Sequence, residues 1–243
     1  MPIYETRPSA ESYGHGIGIV LLDCRVPYIP GDVANADTFG FPVLYKTVPG
    51  LSTAACLSGA PGFADLVAEA ALQLEQQGVK AIASGCGFML QFQDAVASKV
   101  KIPVCLSSLS QLPMIGTTVG SRPIGIISAD STKLTEEFIR SGIPSLPNQL
   151  VIRGMQNSPE FRSSLLEEKG TLDSDVIEVE VVEVVKKMLR DVPEIGAILL
   201  ECSDLPPYAN AVQRATGLPV FDFATLVNYL YSVTHPIKYV GSY

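Results

Sequence analysis

The sequence predicts an α/β fold of two pseudo-symmetric lobes, each a mainly parallel sheet flanked by helices, with the active site between them. Three observations lead to this. Short aliphatic and β-branched runs alternate with helix-length segments, the pattern of strands buried on both faces. Two of these runs, Ala81-Ile82-Ala83-Ser84-Gly85-Cys86-Gly87-Phe88-Met89 and Ala197-Ile198-Leu199-Leu200-Glu201-Cys202-Ser203-Asp204, end alike, in a cysteine followed by small or polar residues. Each cysteine also stands 17 residues ahead of a proline that leads a further apolar run, Cys86 before Pro103 and Cys202 before Pro219. Equal spacing in two such segments marks one structural unit used twice.

Taken in order, Ile17-Gly18-Ile19-Val20-Leu21-Leu22-Asp23 reads as the first buried strand, ending in the polar cluster Asp23-Cys24-Arg25. Asp23 suits a turn or cap as well as a site. Residues 27–39 are rich in turn formers and without a clear period; such a stretch is either a binding loop or a plain surface loop. A second strand covers 43–48, closed by Pro49-Gly50. Residues 62–77 form a helix, because Phe63, Leu66, Val67, Ala70, Leu72 and Leu74 make a broad apolar stripe and Gly78 supplies the stop. The strand 79–84 delivers Cys86, a helix over 91–100 follows, and 103–106 return as a strand ending at Ser107-Ser108.

The second half begins at Arg122-Pro123, and residues 124–130 mirror 17–23. A helix over 134–141 stops at Gly142, and 149–153 form a short strand. The segment 175–190 is a helix despite its valines. Its acids, Glu178, Glu180 and Glu183, come early and its bases, Lys186, Lys187 and Arg190, late, as the helix dipole prefers. The strand 197–201 delivers Cys202, Pro206-Pro207 open the next helix, 218–222 return, and a last helix spans about 225–233. The join lies near 116–122. The first lobe is therefore placed at 1–117 plus 223–243 and the second at 118–222.

The chain has 243 residues, 47% hydrophobic and 17% charged, enough for a large core. Its formal net charge of −8 and pI of about 4.8 provide no basic face for nucleic acid. The polar opening MPIYETRPSAESYGHG lacks an apolar signal region, and no aliphatic run is long enough to cross a bilayer, so a cytoplasmic protein without a membrane partner is expected. Five cysteines, an odd number, point to reduced thiols rather than a disulfide framework. There is no CxxC pair, and the two histidines, His15 and His235, lie at opposite ends, so no metal site is expected. Self-association into a homo-oligomer stays open.

Cys86 and Cys202 stand at the carboxyl ends of their strands, where open α/β sheets place ligands. A single cysteine there is often only core, but two in matching positions argue for chemistry. The backbone N–H groups at Gly87 and Phe88, and at Ser203 and Asp204, are candidates for holding an anion. Asp23, Ser84, Gly87, Ser108, Ser128 and Ser203 also fall at or beside strand ends and are expected to border the cleft. Cys105 lies inside a return strand, Cys56 has no counterpart in the second half, and Cys24 is the nearest rival to the pair.

The two strand-end cysteines in two similar halves resemble the aspartate/glutamate racemase superfamily, which includes cofactor-independent amino-acid racemases, hydantoin racemases, maleate isomerases and arylmalonate decarboxylases. Leu200-Glu201-Cys202-Ser203-Asp204-Leu205-Pro206-Pro207-Tyr208 is similar to its second cysteine motif, and the resemblance covers nearly the whole chain. Two departures stand out: no Gly-rich stretch follows the first strand, and Gly87-Phe88-Met89 replaces the Asn-Thr usual after the first cysteine. Pro30-Gly31-Asp32, Thr38-Phe39-Gly40, Val48-Pro49-Gly50-Leu51, Gly85-Cys86-Gly87-Phe88-Met89 and Ser107-Ser108 resemble instead a branch that includes algal dimethylsulfoniopropionate lyases. The resemblance implies a small carboxylate substrate and no cofactor, with Cys86 and Cys202 abstracting and returning an α-proton. Three readings follow. The first is a racemase or isomerase; the second is a lyase expelling a β leaving group from the same carbanion. The third is a ligand-binding protein without catalysis, since fold alone does not fix function.

Overall fold

The structure, a computed structural model, describes residues 3–143 and 145–242. The first sheet is built from β1 (Ile17–Leu21), β2 (Val43–Thr47) and β3 (Ala81–Ser84), in the order β2-β1-β3 with all pairs parallel. The second holds β4 (Ile124–Ser128), β5 (Leu150–Gly154), β6 (Ala197–Leu200) and β7 (Val220–Phe221), in the order β5-β4-β6-β7, again parallel. The two sheets share one register. Ile17 pairs with Val43 and Ala81, as Ile124 pairs with Leu150 and Ala197. The expected α/β class with two parallel sheets is the one observed.

Return strands are shorter than the sequence suggests. Residues 103–106 make only a single bridge, Val104 to Ile82. Ile82 N–H donates to Pro103 O and Cys105 N–H to Ile82 O, but the outward groups of this segment bond to a side chain instead. Gln93 Nε2 donates to Val104 O and its Oε1 accepts from Leu106 N–H, so the edge is closed by an amide rather than another strand.

The helices are α1 (Thr53–Leu57), α2 (Ala64–Gln77), α3 (Gln93–Lys99), α4 (Leu112–Val119), α5 (Glu136–Gly142), α6 (Pro159–Phe161), α7 (Ser174–Asp191), α8 (Ala209–Thr216) and α9 (Phe223–Thr234). Three of these were not expected. Short α1 and α6 lie in stretches read as connections. α4 occupies residues placed in the join, opened by Pro113 in its first turn, and a π-helical turn, Arg162–Leu166, continues α6. Alternation along the strands decides what each face covers. Ile17, Ile19, Ala81 and Ala83 pack under α9 with Phe223, Leu226, Val227 and Leu230. Val20 and Ile82 face α2, in a core shared with Leu134, Ile139, Ala197 and Leu199 of the second half. Ile127, Ile198 and Leu200 face α7 through Ile177, Val181, Val185 and Met188. Both sheets are thus buried on two faces, and their carboxyl ends meet at a common cavity. Among the described residues no helix is long and apolar enough to cross a membrane.

Candidate active site

Strand β3 ends at Ser84, the chain turns through Gly85, and Cys86 opens a 3-10 turn over Gly87–Phe92. Strand β6 ends at Leu200, and Glu201 and Cys202 follow. Both thiols line one cavity, together with Gly87, Phe88, Ser203 and Asp204. Of the other four expected residues, Ser84, Ser108 and Ser128 stand buried behind that wall and Asp23 lies at the surface. Ser84 Oγ donates to Leu106 O and accepts from Cys86 N–H at 3.3 Å, so it fixes the turn that presents Cys86. Ser108 Oγ reaches the Leu200 and Glu201 carbonyls at 3.2 Å each, and Ser203 Oγ donates to Gly85 O at 2.7 Å. These two hydroxyls tie the strand ends of the two halves together. Ser128 Oγ donates to Glu201 Oε2 at 2.8 Å. Asp23 accepts from Gly50 N–H at 2.9 Å and pairs with Arg25 at 3.3 Å on the surface, which is a turn-capping position.

Three groups of cavity residues absent from the expected site bear on its chemistry and shape. Tyr28 and Asp32 belong to the long loop after β1, whose Gly31 has φ +102° and packs against Pro207 of the second half. Leu165 and Leu166 arrive on the π-helical turn. Glu201, 1% exposed, precedes Cys202; the sequence places it at the end of an apolar strand and within the second cysteine motif, without a role of its own. The signals were available in part. Pro30-Gly31-Asp32 was one of the segments that resembled the lyase branch, and a glutamate closing an aliphatic run is a buried acid by position.

The sulfurs are partnered. Cys202 S–H donates to Asp204 Oδ2 at 3.2 Å, and Cys56 S–H to Cys86 Sγ at 3.9 Å. Cys24 Sγ lies 3.1 Å from Tyr28 Oη. The Cys56 thiol and burial, then the charges of Glu201 and Cys202, hold Cys86 well above the usual thiol range. Burial, then Asp204 and Glu201, do the same to Cys202. Burial and the adjacent Asp204 push Asp32 well up. Burial lifts Glu201 to about 7 against the hydrogen bonds from Ser128 and Ala129. The lining therefore holds three acids, Asp32, Glu201 and Asp204, and no lysine, arginine or histidine among the described residues. No group of three or more His, Cys, Asp or Glu side chains among the described residues is placed to hold a metal ion.

A sequence model of the Asp/Glu/hydantoin racemases matches residues 41–227. The chain belongs to this family. The enzyme class read from the sequence stands with that membership. Its relatives include a dimethylsulfoniopropionate lyase of Durusdinium sp. clade D, 35% identical over 85% of this chain and 70% of that one. Dimethylsulfoniopropionate lyase 7 of Emiliania huxleyi (strain CCMP1516) is 33% identical over 87% of this chain, which spans 65% of that protein's length. Among solved structures, unliganded arylmalonate decarboxylase superposes with a TM-score of 0.61 at 15% identity, covering 94% of this chain and 97% of that one. At that identity the likeness establishes the racemase-family fold and no more.

Proposed function

We propose that this chain is a lyase that removes the α-proton of a small carboxylate and expels a cationic group from its β-carbon, as a dimethylsulfoniopropionate lyase does. The observation that carries this reading is the make-up of the cavity wall, which has acidic side chains, Asp204 among them, and no lysine, arginine or histidine among the described residues. A simple dicarboxylate brings only negative charge to such a wall, whereas a zwitterion, a sulfonium carboxylate or an amino acid with its ammonium, brings the positive charge the wall lacks, and the relatives' names favour the sulfonium.

In this reading the sulfonium lies beside Asp204 and Asp32, and the carboxylate lies against the turns after Cys86 and Cys202. One of the two cysteines takes the α-proton. The Cα–H electron pair forms the C=C bond, the β-carbon–sulfur bond breaks, and dimethyl sulfide leaves neutral with acrylate as co-product. The bound cation also opposes the acidic charges that add to burial in raising both thiols, so substrate binding favours the thiolate that the reaction needs. A racemase reading has its own support, since two thiols lining one cavity suit removal and return of a proton on opposite sides. Proton NMR in heavy water with dimethylsulfoniopropionate and a panel of small carboxylates separates the two. Acrylate and dimethyl sulfide are the expected products; α-deuteration of a chiral carboxylate with no unsaturated product anywhere in the panel would replace the lyase by an isomerase.

A further inference from the structure

A cavity that receives a carboxylate yet has no lysine, arginine or histidine in its lining needs another donor for the negative charge. Among the described residues that line the cavity, one has a buried side-chain oxygen without a hydrogen-bond partner. Glu201 is 1% exposed, its Oε2 accepts from Ser128 Oγ at 2.8 Å, and its Oε1 is buried with no partner. That free oxygen faces Gly87: a Cβ added there would stand 1.8 Å from Oε1 and 2.4 Å from Cδ. Glycine at 87 is therefore required by Glu201, whose backbone carbonyl oxygen would stand 2.7 Å from that Cβ and whose carboxyl reaches from the second half of the chain to the turn that carries Cys86.

A neutral carboxylic acid has one O–H to give. With Oε2 engaged as an acceptor, the proton belongs on Oε1, beside the first cysteine turn. We propose that Glu201, as a neutral acid, donates its Oε1–H to the ligand carboxylate and to the enediolate that forms from it. This rests on the reading of the cavity as a site for a small carboxylate. The proton stays on Glu201; its part is a hydrogen bond that strengthens as charge moves onto the carboxylate oxygens. The same logic explains how an acidic wall tolerates an anionic head group: one of its acids is a donor. The titratable groups around Glu201 are Asp204 and Cys202 on its own strand end, Cys86 from the facing turn, and Asp32 beside Asp204. Its protonated form is sustained to about pH 7 by burial.

The test is calorimetric binding of propionate from pH 5.5 to 8.5 to the whole chain and to the Glu201→Gln and Glu201→Met variants. Propionate has a carboxylate and no leaving group, so lyase turnover is not involved. Wild-type affinity should fall about tenfold per pH unit above pH 7 as the donor is lost. Gln, whose amide N–H₂ donates at every pH, should restore binding and remove that fall. Met, similar in size and without a donor, should bind at least about tenfold more weakly throughout. Absence of propionate binding to the wild type, a fall that persists in Gln, or wild-type binding by Met would each overturn the assignment. If Met does not fold, the comparison of Gln with the wild type decides alone. Dimethyl sulfide release without pH-dependent propionate binding would leave the lyase standing and remove Glu201; the reverse pair of results would keep Glu201 and remove the lyase.

Discussion

At the scale of single residues, the site is defined by what each sulfur is bonded to. Cys202 has a carboxylate acceptor in Asp204, and Cys86 has a neighbouring thiol in Cys56. The two are therefore not equivalent, although their places in the two units are. Racemisation needs one base and one acid in each direction, so loss of either thiol stops it. Elimination needs only the base. The Cys86→Ala and Cys202→Ala variants should accordingly differ. Removal of the base should lower the elimination rate by about 10²–10⁴-fold, the usual worth of a positioned general base, while removal of the other leaves α-proton exchange measurable. Exchange of the α-proton with heavy water, followed by NMR in each variant, reads this directly. Equal abolition of exchange in both variants would favour a two-sided mechanism, and full activity in either would take that cysteine out of the chemistry.

At the scale of elements, the strand-turn-helix-strand units were legible because burial on both faces forces continuous apolar runs, and because a repeated unit repeats its spacing. The two return strands were over-read for the opposite reason. At an edge a strand's outer groups can be satisfied by a side chain, as Gln93 does for Val104 and Leu106, and hydrophobicity alone does not report that. The loop over 27–39 carried turn formers but no period, so its inward residue was not identifiable. Asp32 is fixed there by contacts from outside the loop: Tyr45 Oη of β2 donates to Val33 O, and Gly31 lies against Pro207. Gly31 has φ +102°, and an added Cβ would come within 2.9 Å of Pro207 Cα, a backbone atom that cannot swing aside. Gly31→Ala should therefore strain this loop by roughly 1–3 kcal/mol and displace Asp32 from the cavity. The expected result is a KM raised several-fold with kcat less affected and a modest fall in Tm. Unchanged steady-state kinetics would show that the loop does not position Asp32 for substrate.

At the scale of the whole molecule, the cavity exists only because the two halves meet, and most of what the sequence concealed lies on that meeting. The cysteine turns were visible locally; Ser108 and Ser203 have their partners across the join, and the Glu201 carboxyl lies against Gly87 there, at separations no local pattern encodes. The same buried join has a consequence for stability. Glu201 titrates near its ordinary value of 4.5 when the chain is unfolded and at about 7 in the folded protein. The folded state thus holds this proton more tightly. Its relative stability is fully present below pH 4.5 and is lost as pH rises towards and through 7, where the unfolded chain has released the proton and the folded one must hold it or bury a charge. A shift of this size corresponds to roughly 3 kcal/mol for a fully buried group. Burial raises Asp32 and Asp222 as well, and the same sign applies to them. Glutamine at 201 has no such proton to lose. Unfolding by urea at pH 4.5, 5.5, 6.5 and 7.5 should therefore show Glu201→Gln gaining on the wild type with each step, by about 3 kcal/mol across the range, and levelling off above pH 7. A difference that stays constant with pH would mean that burial does not raise Glu201 and that it carries its charge in the folded protein at neutral pH.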